Sequence, residues 1–324
     1  MLDLAPPIEG RVAFYDQSPR QESFADALVL GLSATPKSIP SRFLYDAKGS
    51  ALFDRISELP EYYPTRTEMK LLADHAGDIA RLIGPEATLI ELGSGSSVKV
   101  RLLLDAMTAP AAYLPIDVSG EHLLAAAEAL ADDYPALMVA AICADYSDTF
   151  RLPATPGAGR QVAFFPGSTI GNMEPPEAEA FLRGWARSGV DMIVGVDLVK
   201  GADILEPAYD DAQGVTAAFS LNLLARANRE VGADFDLSAF AHRSRWDPEP
   251  SRITIAIESL RTQTVSAAGK RFDFAAGERI ETEHSYKYKV DDFQALAGRA
   301  DYGAKAVWVD ADRLFSVHFL KAEG

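Results

Sequence analysis

From residue 87 onward, short apolar runs alternate with stretches whose apolar residues recur every three or four positions. Ala87 to Glu91 (ATLIE), Ala111 to Val118 (AAYLPIDV), Met138 to Cys143, Gln161 to Phe165 and Met192 to Val196 read as strands. Val98 to Met107, Glu121 to Ala131 and Pro175 to Ser188 read as the helices between them. Strands that are apolar throughout, rather than alternating, are buried on both faces. That pattern belongs to a parallel sheet covered by helices on each side. Near the end of the chain, Lys305 to Asp310 and Leu314 to Leu320 have the alternation and spacing of an antiparallel hairpin that completes the sheet.

Two blocks stand outside this alternation. Residues 10–67 precede it, and residues 201–288 interrupt it. The second block carries a helical stretch, about Asp210 to Val231, and two strands, Arg252 to Val265 and about Ile280 to Lys289. The expected division is an α/β sheet domain, 68–200 with 289–324, and a smaller α+β domain, 10–67 with 201–288, over the sheet's carboxyl edge.

Composition narrows the function. The 324 residues hold 31 Lys plus Arg against 47 Asp plus Glu, a formal net charge of −16. Such a field repels phosphate backbones and anionic lipid surfaces, so neither nucleic acid nor a membrane is an expected partner. Cys143 is the sole cysteine, which excludes an internal disulfide and a cysteine metal site. His75, His122, His242, His284 and His318 are not spaced as zinc ligands, and no metal is expected. The start, MLDLAPPIEGR, lacks a basic segment followed by an apolar run, so a cytoplasmic setting is the default reading. Without a sustained heptad pattern, a monomer is the default assembly.

In an open parallel sheet, ligands bind beyond the carboxyl ends of the strands. The first strand runs into Glu91-Leu92-Gly93-Ser94-Gly95-Ser96-Ser97, a turn where glycine lets backbone approach a ligand. The second strand ends at Asp117, a carboxylate suited to a pair of ribose hydroxyls, and the third at Asp145-Tyr146, suited to an adenine ring and its amino group. Val98 occupies the place of the third glycine in a dinucleotide fingerprint, which disfavours a pyrophosphate and favours a smaller nucleoside. This acid-x-G-x-G turn with a second-strand acid resembles class I S-adenosylmethionine methyltransferases. A nicotinamide-dependent oxidoreductase and a non-catalytic nucleoside-binding module are the competing classes. Locally, other residues stay ambiguous. Asn172 is either a turn residue in the left-handed region or a polar group at a strand end. Glu283-x-Ser285 is either a solvated strand face or a two-pronged grip. Taken singly, Tyr45, Phe53 and Tyr62 read as core aromatics.

Five segments taken together are more specific: RFLYDAKGSALFDRISELPEYYPTR (42–66), ELGSGSSVKVRLLLDA (91–106), FFPGSTIGN (164–172), EPAYDDAQGVTAAF (206–219) and TEHSYKY (282–288). In order and in content they resemble the histidine Nα-methyltransferases of ergothioneine biosynthesis. The resemblance implies a class I, Rossmann-like methyltransferase sheet with an added substrate domain. It implies S-adenosylmethionine as cofactor and L-histidine as acceptor, trimethylated to hercynine. By resemblance, Tyr62, Gly93, Lys99, Asp117, Asp145 and Tyr146 would meet the cofactor. Asn172 would meet the amine and Tyr209 the carboxylate, with Tyr45 and Phe53 lining the pocket beside Tyr62. Glu283 and Ser285 would hold the imidazole, and Asn172 and Tyr45 would be the catalytic pair. Ile255 would stand beside the ring, where some members carry methionine. Other members act on other aromatic amino acids, so a different acceptor is the alternative reading.

Overall fold

The computed structural model describes residues 12–17, 23–95, 97–147, 150–156 and 159–323. The N-terminal eleven residues, read above as lacking a leader, and Ser96 of the glycine turn lie outside them. The chain forms two compact units. One comprises Met1–Arg20, Thr67–Leu198 and Tyr288–Gly324, the other Gln21–Arg66 and Val199–Lys287.

The first unit is built on an eight-stranded sheet. Numbered along the whole chain, its strands are β1 (Ala13–Asp16), β3 (Thr88–Leu92), β4 (Ala112–Asp117), β5 (Met138–Cys143), β6 (Gln161–Phe165), β7 (Asp191–Asp197), β13 (Tyr302–Val309) and β14 (Phe315–Ala322). Across the sheet they run β1-β5-β4-β3-β6-β7-β14-β13. All pairs from β1 to β7 are parallel, and β14 pairs antiparallel with both β7 and β13. The C-terminal hairpin thus closes the edge, as its alternation predicts. Every residue of β3 and β7 is buried, which is why these strands read as unbroken apolar runs.

The helices of this unit are most of α3 (Tyr63–Ile83), together with α4 (Val98–Ala106), α5 (Gly120–Asp133), α6 (Pro175–Arg187) and α9 (Val290–Arg299). The start of α6 is written in sequence. Two prolines occupy first-turn positions where no N–H is needed, and the Glu177 carboxylate accepts from the Glu174 N–H at 3.0 Å. The core gathers Leu72, Ile79, Leu89, Leu103, Tyr113, Leu130, Val162, Phe164 and Phe319, all at most 1% exposed. Successive strands lead outward from β3 to β4 and β5 on one side and from β6 to β7 on the other. The β3–β6 boundary is therefore the topological switch point, the place where such sheets leave a crevice.

The second unit has a four-stranded sheet in the order β2 (Lys37–Ser38), β12 (Arg279–Tyr286), β9 (Arg252–Ser259), β8 (Phe240–Asp247), and a hairpin of β10 (Gln263–Ala267) with β11 (Lys270–Phe274). Its helices are α1 (Phe24–Ser33), α2 (Ala47–Ser57), α7 (Ala202–Tyr209) and α8 (Val215–Val231). Two sequence expectations are corrected here. The run 252–265 is two strands, because the Ser259 hydroxyl donates to the Arg261 carbonyl and turns the chain at Leu260. The helix expected from Asp210 starts at Val215. Asp211 sits before it as an anion, its carboxylate accepting from the Val215 and Thr216 N–H groups at 3.0 and 2.7 Å. β8, β11 and α9 carry no element expectation from the sequence.

Candidate functional site

In the first unit, the carboxyl ends of β3, β4, β5 and β6 bring the expected polar residues to the sheet edge around the switch point. β3 ends in Glu91, which is 2% exposed. The Tyr113 hydroxyl on neighbouring β4 donates to the Glu91 carboxylate at 2.5 Å and lies 3.2 Å from the Ser97 hydroxyl. Burial pushes the Glu91 carboxyl up to about 8, an effect the Tyr113 hydrogen bond and the Lys99 charge only partly offset. The turn then passes through Gly93 at φ +71°, whose N–H donates to the Ile116 carbonyl at 2.9 Å. A Cβ at Gly93 would fall 3.6 Å from the Tyr146 ring, so the residue is glycine for its φ more than for space. The buried Ser94 hydroxyl has no hydrogen-bond partner among the described residues.

The other strand ends converge on the same edge. The Asp117 carboxylate, at the end of β4, accepts from the Ser119 N–H at 2.9 Å. The Asp145 carboxylate, just past β5, accepts from the Ser147 N–H at 2.9 Å. The Tyr146 phenol is pushed up by burial and then by the charges of Asp117 and Asp145, so the three groups share one electrostatic neighbourhood. Its ring packs on Phe165 and Phe181, with centroids 5.5 and 6.2 Å away.

Beyond β6 the chain turns through Gly167 and Ser168, both at positive φ, into a 3₁₀ turn over Thr169–Asn172. Asn172 is exposed at its end and does not have positive φ, which removes the left-handed turn reading. A residue missed in the sequence organises this loop. Glu68 of α3 is 0% exposed, and its two carboxylate oxygens accept from the Gly167 N–H at 3.0 and 2.9 Å. Lys99, at the start of α4, donates to the same carboxylate at 2.5 Å. One buried acid therefore holds both the loop leading to Asn172 and the lysine beside the glycine turn. No periodicity singles it out, because Glu68 reads as one more polar helix residue.

In the second unit the expected residues form two connected groups. The first is aromatic. Tyr45 packs on Phe53 and Phe219 at centroid distances of 5.5 and 5.3 Å, Phe53 on Tyr62 at 6.3 Å, and Tyr62 on Tyr209 at 6.1 Å. Tyr45 is 37% exposed and Tyr62 only 9%. The segment bearing Tyr45 is fixed by Asp46, whose carboxylate caps α2 at the Gly49 N–H at 2.7 Å and accepts from Asn222 of α8 at 2.7 Å. Gly49 is required there, since a Cβ would fall 1.8 Å from the Leu44 carbonyl oxygen.

The second group is polar and sits on β12. Glu283 and Ser285 are two apart and lie on one face of the strand. Glu283 pairs across the ladder with Ile255, the residue expected beside the ring. The Ser285 hydroxyl is 3.0 Å from that of Tyr209, the last residue of α7. Lys287 continues the alternation and donates to both hydroxyls, at 2.7 Å to Ser285 and 2.6 Å to Tyr209. It was missed although it lies inside the TEHSYKY segment. Extending the period-two reading by one step would have found it. Behind them, the His242 ring donates from Nε2 to the Tyr209 carbonyl at 2.8 Å, and its Nδ1 accepts from the Ser220 hydroxyl at 2.8 Å. Burial holds His242 below the usual imidazole range, which suits this neutral tautomer.

A family model described as "Histidine-specific methyltransferase, SAM-dependent" matches residues 24–322. The chain is 42% identical over 288 residues to the histidine N-alpha-methyltransferase of Mycolicibacterium smegmatis, covering 86% of this chain and 89% of that one. It is 41% identical over 288 residues to the protein of the same name from Mycobacterium tuberculosis, with the same coverage of 86% and 89%. Ergothioneine biosynthesis protein 1 of Schizosaccharomyces pombe is 29% identical over 282 residues, which are 82% of this chain and 36% of that longer one.

Proposed function

The chain belongs to the S-adenosylmethionine-dependent, histidine-specific methyltransferases, and from that membership we propose how its residues divide the reaction. The reaction is transfer of a methyl group from S-adenosylmethionine to the α-amine of L-histidine, the step that opens ergothioneine biosynthesis. The first unit is a class I methyltransferase sheet. The observation that carries the reading is the buried Ser94 hydroxyl, without a partner among the described residues, in the turn after β3 at the carboxyl edge where β4 and β5 lead into Asp117 and Asp145. A buried hydroxyl without a partner is a standing cost that a polar nucleoside ligand would remove.

In this reading Asp117 accepts from the ribose hydroxyls, and Asp145 with Tyr146 meets the adenine amino group and face. Lys99, held by Glu68, faces the cofactor's carboxylate. Gly93 gives the backbone its close approach, and Tyr62 is the remaining cofactor contact. When bound, S-adenosylmethionine supplies an electrophilic methyl group on a sulfonium, whose departure as a neutral thioether needs no acid. The protein's task is therefore alignment and a free amine lone pair. Asn172 orients the amine through its amide oxygen, and the proton that must leave passes to water, relayed by the Tyr45 hydroxyl, which gives up its own proton to the water as it receives the amine's. Tyr209 donates to the acceptor carboxylate, Phe53 and Tyr62 wall the pocket, and Glu283 and Ser285 grip the imidazole. The same geometry serves three successive transfers and ends at a betaine, which has no lone pair left.

The finer setting is part of the same proposal. The acceptor is a free amino acid, and the enzyme works as a cytoplasmic monomer without nucleic acid or membrane partners. The excess of 16 negative charges supports the exclusion of polyanions. No helix among the described residues is long and apolar enough to cross a membrane. The test is incubation with S-adenosylmethionine and each proteinogenic amino acid, read by mass spectrometry. Histidine gaining three methyl groups supports the reading, and transfer only to another aromatic amino acid replaces the acceptor. Cofactor binding with no transfer to any amino acid would overturn it.

A further inference from the structure

In the division of labour above Glu68 serves only to hold Lys99, yet the sheet is cut to fit its carboxylate. Glu68 lies on α3, ahead of the strands, and is 0% exposed. A Cβ on Gly195, inside β7, would fall 1.9 Å from Glu68 Oε1, so any side chain there would displace the acid. Gly195 does not have positive φ, so the residue is glycine for space and not for backbone conformation. A glycine in a strand interior weakens the strand and marks a place where another group approaches closely. In β7, where every residue is buried, the approaching group is this carboxylate.

Two donors meet there. The Gly167 N–H is shared between both carboxylate oxygens, and Lys99 donates to Oε2. The two donors are themselves adjacent, since a Cβ at Gly167 would lie 3.7 Å from Lys99 Nζ. From Gly167 the loop is braced internally: the Thr169 hydroxyl donates to the Pro166 carbonyl and the Gly171 N–H to the Ser168 carbonyl, both at 2.8 Å. Its outer anchors are Glu68 at Gly167 and the end of β7, where the Ser168 hydroxyl accepts from the Asp197 N–H at 2.9 Å. A short loop braced in this way moves as one piece, so a shift at Gly167 is passed on to Asn172.

In-line transfer depends on the distance and angle between the donor's methyl carbon and the amine nitrogen. Lys99 faces one ligand and Asn172 the other, and both are referenced to the same carboxylate. We propose that Glu68, seated against Gly195, is a positioning residue for the transfer. One buried acid sets the lysine on the donor side and the loop bearing Asn172 on the acceptor side, so a single group aligns the two ligands. This rests on the reading of Lys99 and Asn172 given above. Gly195 is assigned to neither ligand, so a change there reaches the reaction only through the acid.

The experiment measures the single-turnover rate of methyl transfer in the full-length protein at saturating S-adenosylmethionine and L-histidine, with S-adenosylhomocysteine affinity by calorimetry. Gly195→Ala keeps the acid and its charge, but Oε1 must retreat by roughly 1.5 Å to regain ordinary contact. The expected rate falls about 30-fold, as a misplacement of that size costs. In a Glu68→Ala background the added methyl group finds room, and the same change lowers the rate by less than about twofold. Glu68→Ala itself lowers the rate about 100-fold and weakens S-adenosylhomocysteine binding about tenfold. Glu68→Gln, whose amide oxygen still accepts from Gly167, weakens binding equally but lowers the rate only about tenfold. Cooperative thermal unfolding reports that each variant is folded. A wild-type rate in Gly195→Ala overturns the inference, as does a 30-fold loss that persists in the Glu68→Ala background. If Gly195→Ala does not fold, equal rates in the two Glu68 variants refute the Gly167 contact. If Glu68→Ala does not fold, the rate of Gly195→Ala decides. A wild-type protein that transfers no methyl group to histidine overturns the acceptor reading instead.

Discussion

Replacing either partner of the Glu68–Lys99 pair disturbs the same buried carboxylate, but by unequal amounts. Glu68 is 0% exposed and its partners are the Gly167 N–H and the Lys99 Nζ, whose side chain is 20% exposed. In Lys99→Met the carboxylate keeps a single N–H in a dry setting. Losing the counter-charge of a buried pair costs about 3–5 kcal/mol. In Glu68→Gln the amide oxygen still accepts from Gly167, and Lys99 retains some access to water. The expected cost is about 1–3 kcal/mol. The double variant removes both charges together, so its cost is below the sum of the two by at least about 1.5 kcal/mol. The assay is urea unfolding by fluorescence in a Trp246→Phe background. Of the 3 tryptophans, Trp185 and Trp308 then remain, and both belong to the sheet unit. Because Lys99 also faces the cofactor in the proposed site, Glu68→Gln is expected to weaken S-adenosylhomocysteine binding about tenfold, about 1.4 kcal/mol. Additivity within about 0.5 kcal/mol would refute the shared-carboxylate reasoning, as would Glu68→Gln proving costlier than Lys99→Met.

Three further expectations follow from single residues. His318 is 0% exposed, with Nε2 2.9 Å from the Ser316 hydroxyl and Nδ1 without a partner among the described residues, and burial lowers its pKa from 6.5 to about 4. The unfolded chain then binds the proton first, so stability present above pH about 6.5 declines as pH falls towards 4. The loss at pH 5 is about 2 kcal/mol. His318→Gln should shrink the pH 7.5-to-5 stability difference of the sheet unit by that amount in urea titrations, and an unchanged difference would dismiss the cause. Glu283→Ala should lower kcat/KM for histidine about 100-fold, about 2.7 kcal/mol, and narrow its preference over tryptophan and phenylalanine. Competition assays in which the preference is unaltered would remove Glu283 from the ring site. Asn172→Ala should depress kcat about 100-fold while S-adenosylhomocysteine affinity stays within about twofold, and turnover at the wild-type rate would discard its orienting role.

Legibility in the sequence followed the range of the interactions involved. The sheet strands could be read because burial on both faces leaves only apolar residues, a constraint each strand records locally, as in β3 and β7. The glycine turn and the acids at the strand ends were legible for a similar reason. A left-handed φ at Gly93 and a polar residue at a strand terminus are properties of a few adjacent positions. The second unit was read less well, since half-buried strands joined by a turn at Leu260 keep one apolar rhythm across the break. Asp211 was likewise visible as a residue but not as the group that starts α8.

What the sequence determined by itself is the kind of chemistry: which residue types stand at which strand ends, and the motif order that marks the family. Only the tertiary structure decided which of them act together. Glu68 reaches Gly167, 99 positions away, and Lys287 reaches Tyr209, 78 positions away. Neither separation has any period, because a buried charge is satisfied by whatever the fold carries to it, and chain distance plays no part in that choice.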